Sequence, residues 1–258
     1  MPELEDFLNF ARETAHEAGV LTLGYFARGV EIIEKSDGSP VTVADRSAEE
    51  LIRQRIEARF PEHGIYGEEF DVKEPASGCS FQWYIDPIDA TKSFIHGVPL
   101  YSTLCSLVRW DEPVVRIIEI PALGEQLSAA KGRGATLNGR QVRVSETSEL
   151  ARGVVLYTDF QSLRADAPSN NWVGLIEKCR FPRSWGDAYG HFLVATGRAE
   201  IMLDPIVNPY DVAPMSVIMP EAGGYFCDWK GKETFEGGNG VSCNAALRPY
   251  LNEHFFSD

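Results

Sequence analysis

The sequence predicts a mixed α/β chain, α+β in its first part and α/β in its second. Three observations carry this. Apolar residues recur at helical spacing near the N-terminus, strand-like segments separated by turns follow, and from about Arg152 strands and helices alternate.

Leu4, Phe7, Leu8, Ala11, Ala15, Ala18 and Leu21 define a first helix over residues 3 to about 27. "EKSDGSPVTVAD" then reads as a turn-rich loop, with Gly38 and Pro40 as breakers. A second amphipathic helix is expected from about Asp45 to Phe60, carrying Ala48, Leu51, Ile52 and Ile56 on one face and stopped by Pro61. "GIYGEEF" reads as a short strand ending in carboxylates. "FQWYIDPID", "YSTLCSLVRW", "PVVRIIEIPAL" and "EQLSAAKGRGATLNG" read most simply as a meander, and "LNGRQVRVSE" adds a hairpin end and a loop. Beyond it come strand "GVVLYTD", a helix from Asn170 to Cys179, loop "FPRSWGD", helix "AYGHFLVATG", strand "AEIMLDP", helix "YDVAPMSVIMPEAGG" and strand "GYFCDW". A boundary near residues 140 to 152 divides the chain into an N-terminal α+β lobe, 1–145, and a C-terminal α/β lobe, 146–258. The two are expected to act as one functional unit with a cleft between them.

The 258 residues suffice for one large domain or two packed lobes. A net charge of −14 argues against a general nucleic-acid binder, since phosphate backbones are gripped by basic surfaces. It leaves phosphorylated small molecules open, because bound cations invert the sign of a local site. The five cysteines include no C-x-x-C pair, which favours reduced structural thiols over a zinc site or a disulfide framework. The acidic, helix-patterned start has no basic n-region followed by an apolar run, and no apolar stretch has the length of a membrane span. A soluble cytoplasmic protein with no membrane partner is the expectation.

Acidic residues fall at the breaks in structure: Asp45, Glu68 with Glu69, Asp86 with Asp89, and Asp211. Each has a plain alternative. Asp45 is placed to cap a helix, Glu68 and Glu69 to be solvated loop charges, and Asp211 to be a helix-start acid favoured by the macrodipole. Asp86 and Asp89 in "WYIDPIDATKSFIHG" are different, because two carboxylates beside a stiff proline repel unless a cation neutralises them. Hard oxygen donors suit magnesium, which keeps positions for water and phosphate. Thr91 supplies a hydroxyl, and a helix starting near Ala90 would add N–H groups that favour an anion. From the turn alone, a purely structural turn is the equal alternative.

"GEE" (67–69), "WYIDPIDATKSFIHGVPLYS" (83–102) and "NPYDVAPMSVIMPEAGG" (208–224), in this order, resemble the signatures of the inositol monophosphatase-like family of magnesium-dependent, lithium-sensitive phosphatases. "KSDGSPVTVAD" (35–45) and "AAKGRGATLNG" (129–139) add to the likeness, which spans nearly the whole chain. The resemblance implies a layered α-β-α-β-α sandwich of two intimately packed lobes, usually dimeric, acting on a small-molecule phosphate monoester. It implies two to three Mg2+ ions, with Mn2+ as a substitute. Glu68, Asp86 and the Ile88 carbonyl would hold the first, and Asp86, Asp89 and Asp211 the second, so that most ligands lie in the N-terminal lobe. Glu68 would help a third. Thr91 and Asp45 would orient and activate the attacking water, with Glu68 and Glu69 assisting, and the amides of Ala90 and Thr91 would face the phosphate.

Two departures stand out. Ala90 replaces the family's usual glycine, where a methyl stands to crowd the turn, and Tyr210 and Pro214 replace a tryptophan and an alanine. "PRSWGDAYGHFLVATGRAEIMLDPIVNPYD" resembles the histidinol-phosphatase branch, which puts Asp187 opposite a substrate ammonium and Arg183 and Trp185 on the same rim. The alternatives are that Asp187 caps a helix starting at Ala188 and that Trp185 packs in the core. His96 and His191 are read as structural, Cys105 as a buried strand residue without chemistry, and Lys35 as a charge-balancing or solvent-facing residue. Histidinol-phosphate hydrolysis is thus the leading expectation. An inositol-1-phosphate or sugar-phosphate monoesterase is the rival, and a weakened family member serving as a binding protein is the reading from another class.

Overall fold

A computed structural model describes residues 2–34, 40–110 and 112–256. Lys35 and the middle of the "EKSDGSPVTVAD" segment lie outside the described residues. The chain forms two compact units, Met1–Lys131 and Gly132–Asp258.

In the first unit, helix α1 (Pro2–Leu23) is followed by strands β1 (Ile32–Glu34) and β2 (Pro40–Thr42) and helix α2 (Val43–Arg59). The sequence reads the β1–β2 region as loop. The strands that form there hold only three paired positions, from Ile32↔Thr42 to Glu34↔Pro40, too few to leave a periodic signal. Strands β3 (Gly64–Gly67) and β4 (Phe81–Asp89), the short helix α3 (Thr91–Ile95), then β5 (Ser102–Arg109), β6 (Glu112–Ile120) and β7 (Glu125–Ala130) complete the unit. Strands β4 to β7 pair antiparallel in sequence order, which is the expected meander, and β3 joins β4 in parallel.

Alternation decides which face is buried. Trp83 and Ile85 of β4, Cys105 and Leu107 of β5, and Val115 and Ile117 of β6 point to one side and meet Ala11, Ala15 and Ala18 of α1 and Ile52 and Ile56 of α2. Burying each large aliphatic or aromatic side chain contributes about 1.5–3 kcal/mol. His63 stacks between Phe60 and Phe81, with ring centroids 4.8 Å away on each side. The Trp83 indole Nε1 donates to its Nδ1 at 3.1 Å.

The second unit begins with strands β8 (Ala135–Leu137) and β9 (Arg140–Val142). Asn138 and Gly139 close this hairpin at φ 47° and 78°, the left-handed pair that a two-residue turn of matching twist requires. Strand β10 (Val154–Tyr157), helices α4 (Phe160–Asp166) and α5 (Trp172–Lys178), strand β11 (Phe181–Arg183), helix α6 (Asp187–Ala195) and strand β12 (Ile201–Asp204) follow. Helices α7 (Pro209–Val212) and α8 (Met215–Glu221), strands β13 (Gly224–Cys227) and β14 (Gly240–Asn244), and helix α9 (Arg248–His254) end it. The sheet order is β11-β10-β12-β14-β13, parallel over its first three strands and antiparallel over the rest. The expected alternation therefore holds for β10 to β12.

Three expectations are corrected here. "FPRSWGD" is not all loop, because Phe181–Arg183 pairs with β10 as a short edge strand. The single helix expected over "YDVAPMSVIMPEAGG" is two, since Pro214 lacks an N–H and sits at the start of α8 with φ −55°. Ala90 is not simply a crowding methyl. It stands between β4 and α3 at φ 64°, ψ 48°, and packs on the cluster of Ala44, Ile88, Phe94 and Tyr101. The cost at this position is left-handed backbone strain, partly offset by that contact.

Among the described residues, no helix is long and apolar enough to cross a membrane. Burial pushes the Cys105 and Cys243 thiols up to about 12 and the Cys227 thiol up to about 11, so these three are not thiolate nucleophiles near neutrality.

Two measurements check these points. Burial, with the Lys73 charge second, lowers the His63 pKa to about 4 from 6.5. The unfolded chain thus binds the extra proton first, and stability is full above pH 6.5 and declines as pH falls toward 4, by roughly 2–3 kcal/mol. Denaturant melts at pH 7 and pH 5 are expected to show this loss in the wild type and a smaller one in His63→Phe. Ala90→Gly, which removes the left-handed strain, is expected to raise unfolding free energy by about 0.5–1 kcal/mol in the same assay.

Candidate active site

The proposed ligands of the first unit gather at the C-terminal end of β4. Asp86 pairs with Leu104 and Asp89 with Ser102, so three steps along β4 match two along β5. This is a β-bulge, and it falls on Pro87 and Ile88. In a regular strand, residues three apart face opposite sides. Here the extra residue restores the phase, because Leu104 and Ser102 are two apart and share a face, so Asp86 and Asp89 share it as well. An oxygen of each carboxylate lies within 4.8 Å of the other, and both residues are buried.

Local hydrogen bonds fix the turn. The Ile88 N–H donates to Asp86 Oδ1 at 3.0 Å, Ser102 Oγ donates to Asp89 Oδ2 at 2.7 Å, and Thr103 Oγ1 donates to the Pro87 carbonyl at 2.8 Å. Ser102 and Thr103 hold this turn, and sequence reasoning gave neither a role, although Ser102 ends the quoted motif and Thr103 directly follows it. Thr91 opens α3, and its Oγ1 donates to the Ile88 carbonyl at 3.0 Å and to Asp45 Oδ1 at 3.5 Å.

Asp45 arrives from the start of α2. It does not cap that helix. Thr42 does, and Asp45 is the third residue in, where its Oδ2 accepts from the Thr42 N–H at 2.8 Å and the Thr42 hydroxyl at 2.6 Å. "TVAD" carried the spacing of this reciprocal cap. Burial raises the Asp45 pKa, the Thr42 bonds oppose that, and the charge of nearby Glu68 adds to the rise. Glu68 and Glu69 follow β3 and are half-buried, so they are not simply solvated loop charges. The first unit therefore brings Asp45, Thr91 and the Asp86–Asp89 turn together, with Glu68 within electrostatic reach of Asp45.

In the second unit, Asp211 lies in the first turn of α7 and accepts the Asn208 N–H at 2.7 Å through Oδ2. Asp187 begins α6 at φ 55°, and its N–H donates to Thr158 Oγ1 at 3.3 Å. The cap position of α6 falls on Gly186, which corrects the reading of Asp187 as the cap. The glycines of "WGDAYG" have a steric cause. A Cβ on Gly186 would stand 2.2 Å from Thr158 Cα, and one on Gly190 would stand 2.5 Å from Met202 Sδ. Arg183 is exposed, stacked 5.4 Å over the Phe181 ring. Trp185 is 44% exposed, which corrects the reading of it as core. His96 is exposed, whereas His191 is fully buried with Nδ1 2.7 Å from Ser242 Oγ.

Comparison with known proteins identifies the family. The model of the "Inositol monophosphatase family" matches residues 3–257. A "Histidinol-phosphatase" of Chlorobaculum parvum is 46% identical over 243 residues, 93% of each chain. "Inositol monophosphatase 1" of Solanum lycopersicum is 32% identical, over 98% of this chain and 94% of its own. Among solved structures, an IMPase of Thermotoga maritima superposes with a TM-score of 0.85 at 28% identity, covering 96% of both chains. The chain belongs to the inositol monophosphatase family and is a phosphomonoester hydrolase.

Proposed function

We propose that this protein hydrolyses L-histidinol phosphate to L-histidinol and phosphate, with Mg2+ as cofactor, in histidine biosynthesis. The observation that carries the substrate is the end-to-end match, 46% identical, to a histidinol-phosphatase. The reading includes a homodimer in the cytoplasm.

The residues present fit a divalent cation. Asp86 and Asp89 put two buried carboxylates on one face with oxygens within 4.8 Å, an arrangement that is repulsive without positive charge. All the donors are hard oxygens, which suit magnesium. Glu68, Asp86 and the Ile88 carbonyl are assigned to one ion and Asp86, Asp89 and Asp211 to a second, with Glu68 helping a third. When bound, the ions acidify a water and take up charge on the leaving oxygen.

The chain's own residues direct the proton. Thr91 Oγ1 receives it from the attacking water and passes its own to Asp45 Oδ1, along the 3.5 Å contact. Burial makes Asp45 a stronger base than a surface aspartate, which suits that role. Glu68 and Glu69, which follow β3, assist. Amides of Ala90 and Thr91 face the phosphate, and Asp187 faces the substrate ammonium with Arg183 and Trp185 beside it.

Phosphate release is the test. Histidinol phosphate with Mg2+ is expected to be turned over faster than inositol 1-phosphate or a nucleotide bisphosphate, and a chelator is expected to stop it. A preference for inositol 1-phosphate would overturn the substrate, and no release from any ester would favour a binding role. Asp89→Asn and Asp211→Asn are each expected to lower kcat by at least about a hundredfold while leaving the melting temperature near wild type. Asp187→Asn is expected to lower kcat/KM for histidinol phosphate by about 10- to 100-fold, the worth of a charged hydrogen bond, and to spare inositol 1-phosphate.

A further inference from the structure

We infer that Glu49 and Arg53 of α2 are positioning residues for Glu68, and that they set the affinity of the cation site which Glu68 serves. The inference rests on the ligand role proposed for Glu68. Glu49 is wholly buried, and its contacts fall on either side of that residue. Its Oε2 accepts the Glu69 N–H at 2.7 Å. On the other side a Cβ at Gly67 would stand 2.1 Å from Glu49 Oε1, so the carboxylate lies directly against the backbone that precedes Glu68. Arg53 completes the clamp. Its Nε donates to Glu49 Oε1 at 2.8 Å, its Nη2 donates to the Phe70 carbonyl at 3.1 Å, and its guanidinium lies 5.6 Å from the Phe70 ring centroid. Residues 67, 69 and 70 are thus all held from one helix.

The same helix carries Asp45 one turn earlier, and residues four apart share a helix face. Helix α2 therefore registers Glu68 against Asp45, whose carboxyl feels the Glu68 charge. A clamp needed only for folding would be cheaper as packed apolar side chains, because a buried ion pair seldom repays its desolvation. What a buried, charged clamp provides is a fixed backbone geometry. Outer partners that orient a ligand typically change metal affinity by about 10- to 100-fold when removed.

The test is Mn2+ binding to the metal-free, full-length protein without substrate, followed by electron paramagnetic resonance and calorimetry. Glu49→Gln is expected to weaken the tightest site by about tenfold, and Arg53→Lys to weaken it less, in the same direction. Ile56→Val, a core change on the same helix that removes none of these hydrogen-bonding groups, is expected to lower the melting temperature without moving Mn2+ affinity. Affinity within twofold of wild type in Glu49→Gln overturns the inference, as does an equal loss in Ile56→Val. Should Glu49→Gln not fold, Gly67→Ala, which displaces the carboxylate, and Arg53→Lys decide by the same criterion. Wild-type protein that binds no Mn2+ would overturn the ligand reading and this inference together. Binding that is lost in Asp86→Asn but unmoved in the clamp variants would overturn this inference alone.

Discussion

Charge repulsion between Asp86 and Asp89 is the constraint around which the first unit is arranged. Two carboxylates on one strand end oppose folding unless their surroundings hold them. The chain answers with backbone before it answers with charge. A bulge over Pro87 and Ile88 turns both acids to one face, Ser102 and the Ile88 N–H bind them, and the sheet packed against α1 and α2 supplies the rigidity. Loops alone do not hold ligands to within a few tenths of an ångström, whereas a strand end braced by two helices does.

Much of this was legible because the signals were local. The spacing of Ala11, Ala15 and Ala18 marks α1, that of Ala48, Ile52 and Ile56 marks α2, and the strand runs from Phe81 to Ala130 announce the meander. The D-P-I-D turn placed Asp86 and Asp89 close in sequence. That they share a face follows from pairing with β5, which no local pattern contains. The capping box of α2 was written in "TVAD", but only the fold shows that Thr42 caps while Asp45 turns toward Thr91.

What escaped the sequence is short, or depends on distant partners. Strand β11 has three residues with a proline at its centre, too few for a period. Strand β14 is buried throughout, so it lacks the alternation that marks a half-exposed strand. The parallel join of β3 to β4 brings together segments separated by the chain between them. Nothing in the sequence singles out Glu49, whose burial appears only once the turn after β3 closes over it.

Strand β11 also bears on how the molecule behaves when crowded. It closes one margin of the second sheet, and an open margin is a template on which neighbouring molecules assemble into fibres. Pro182 has no amide hydrogen to offer an incoming backbone, and Arg183 places a cation beside it. Two of its three residues therefore make this margin a poor template for edge-to-edge pairing.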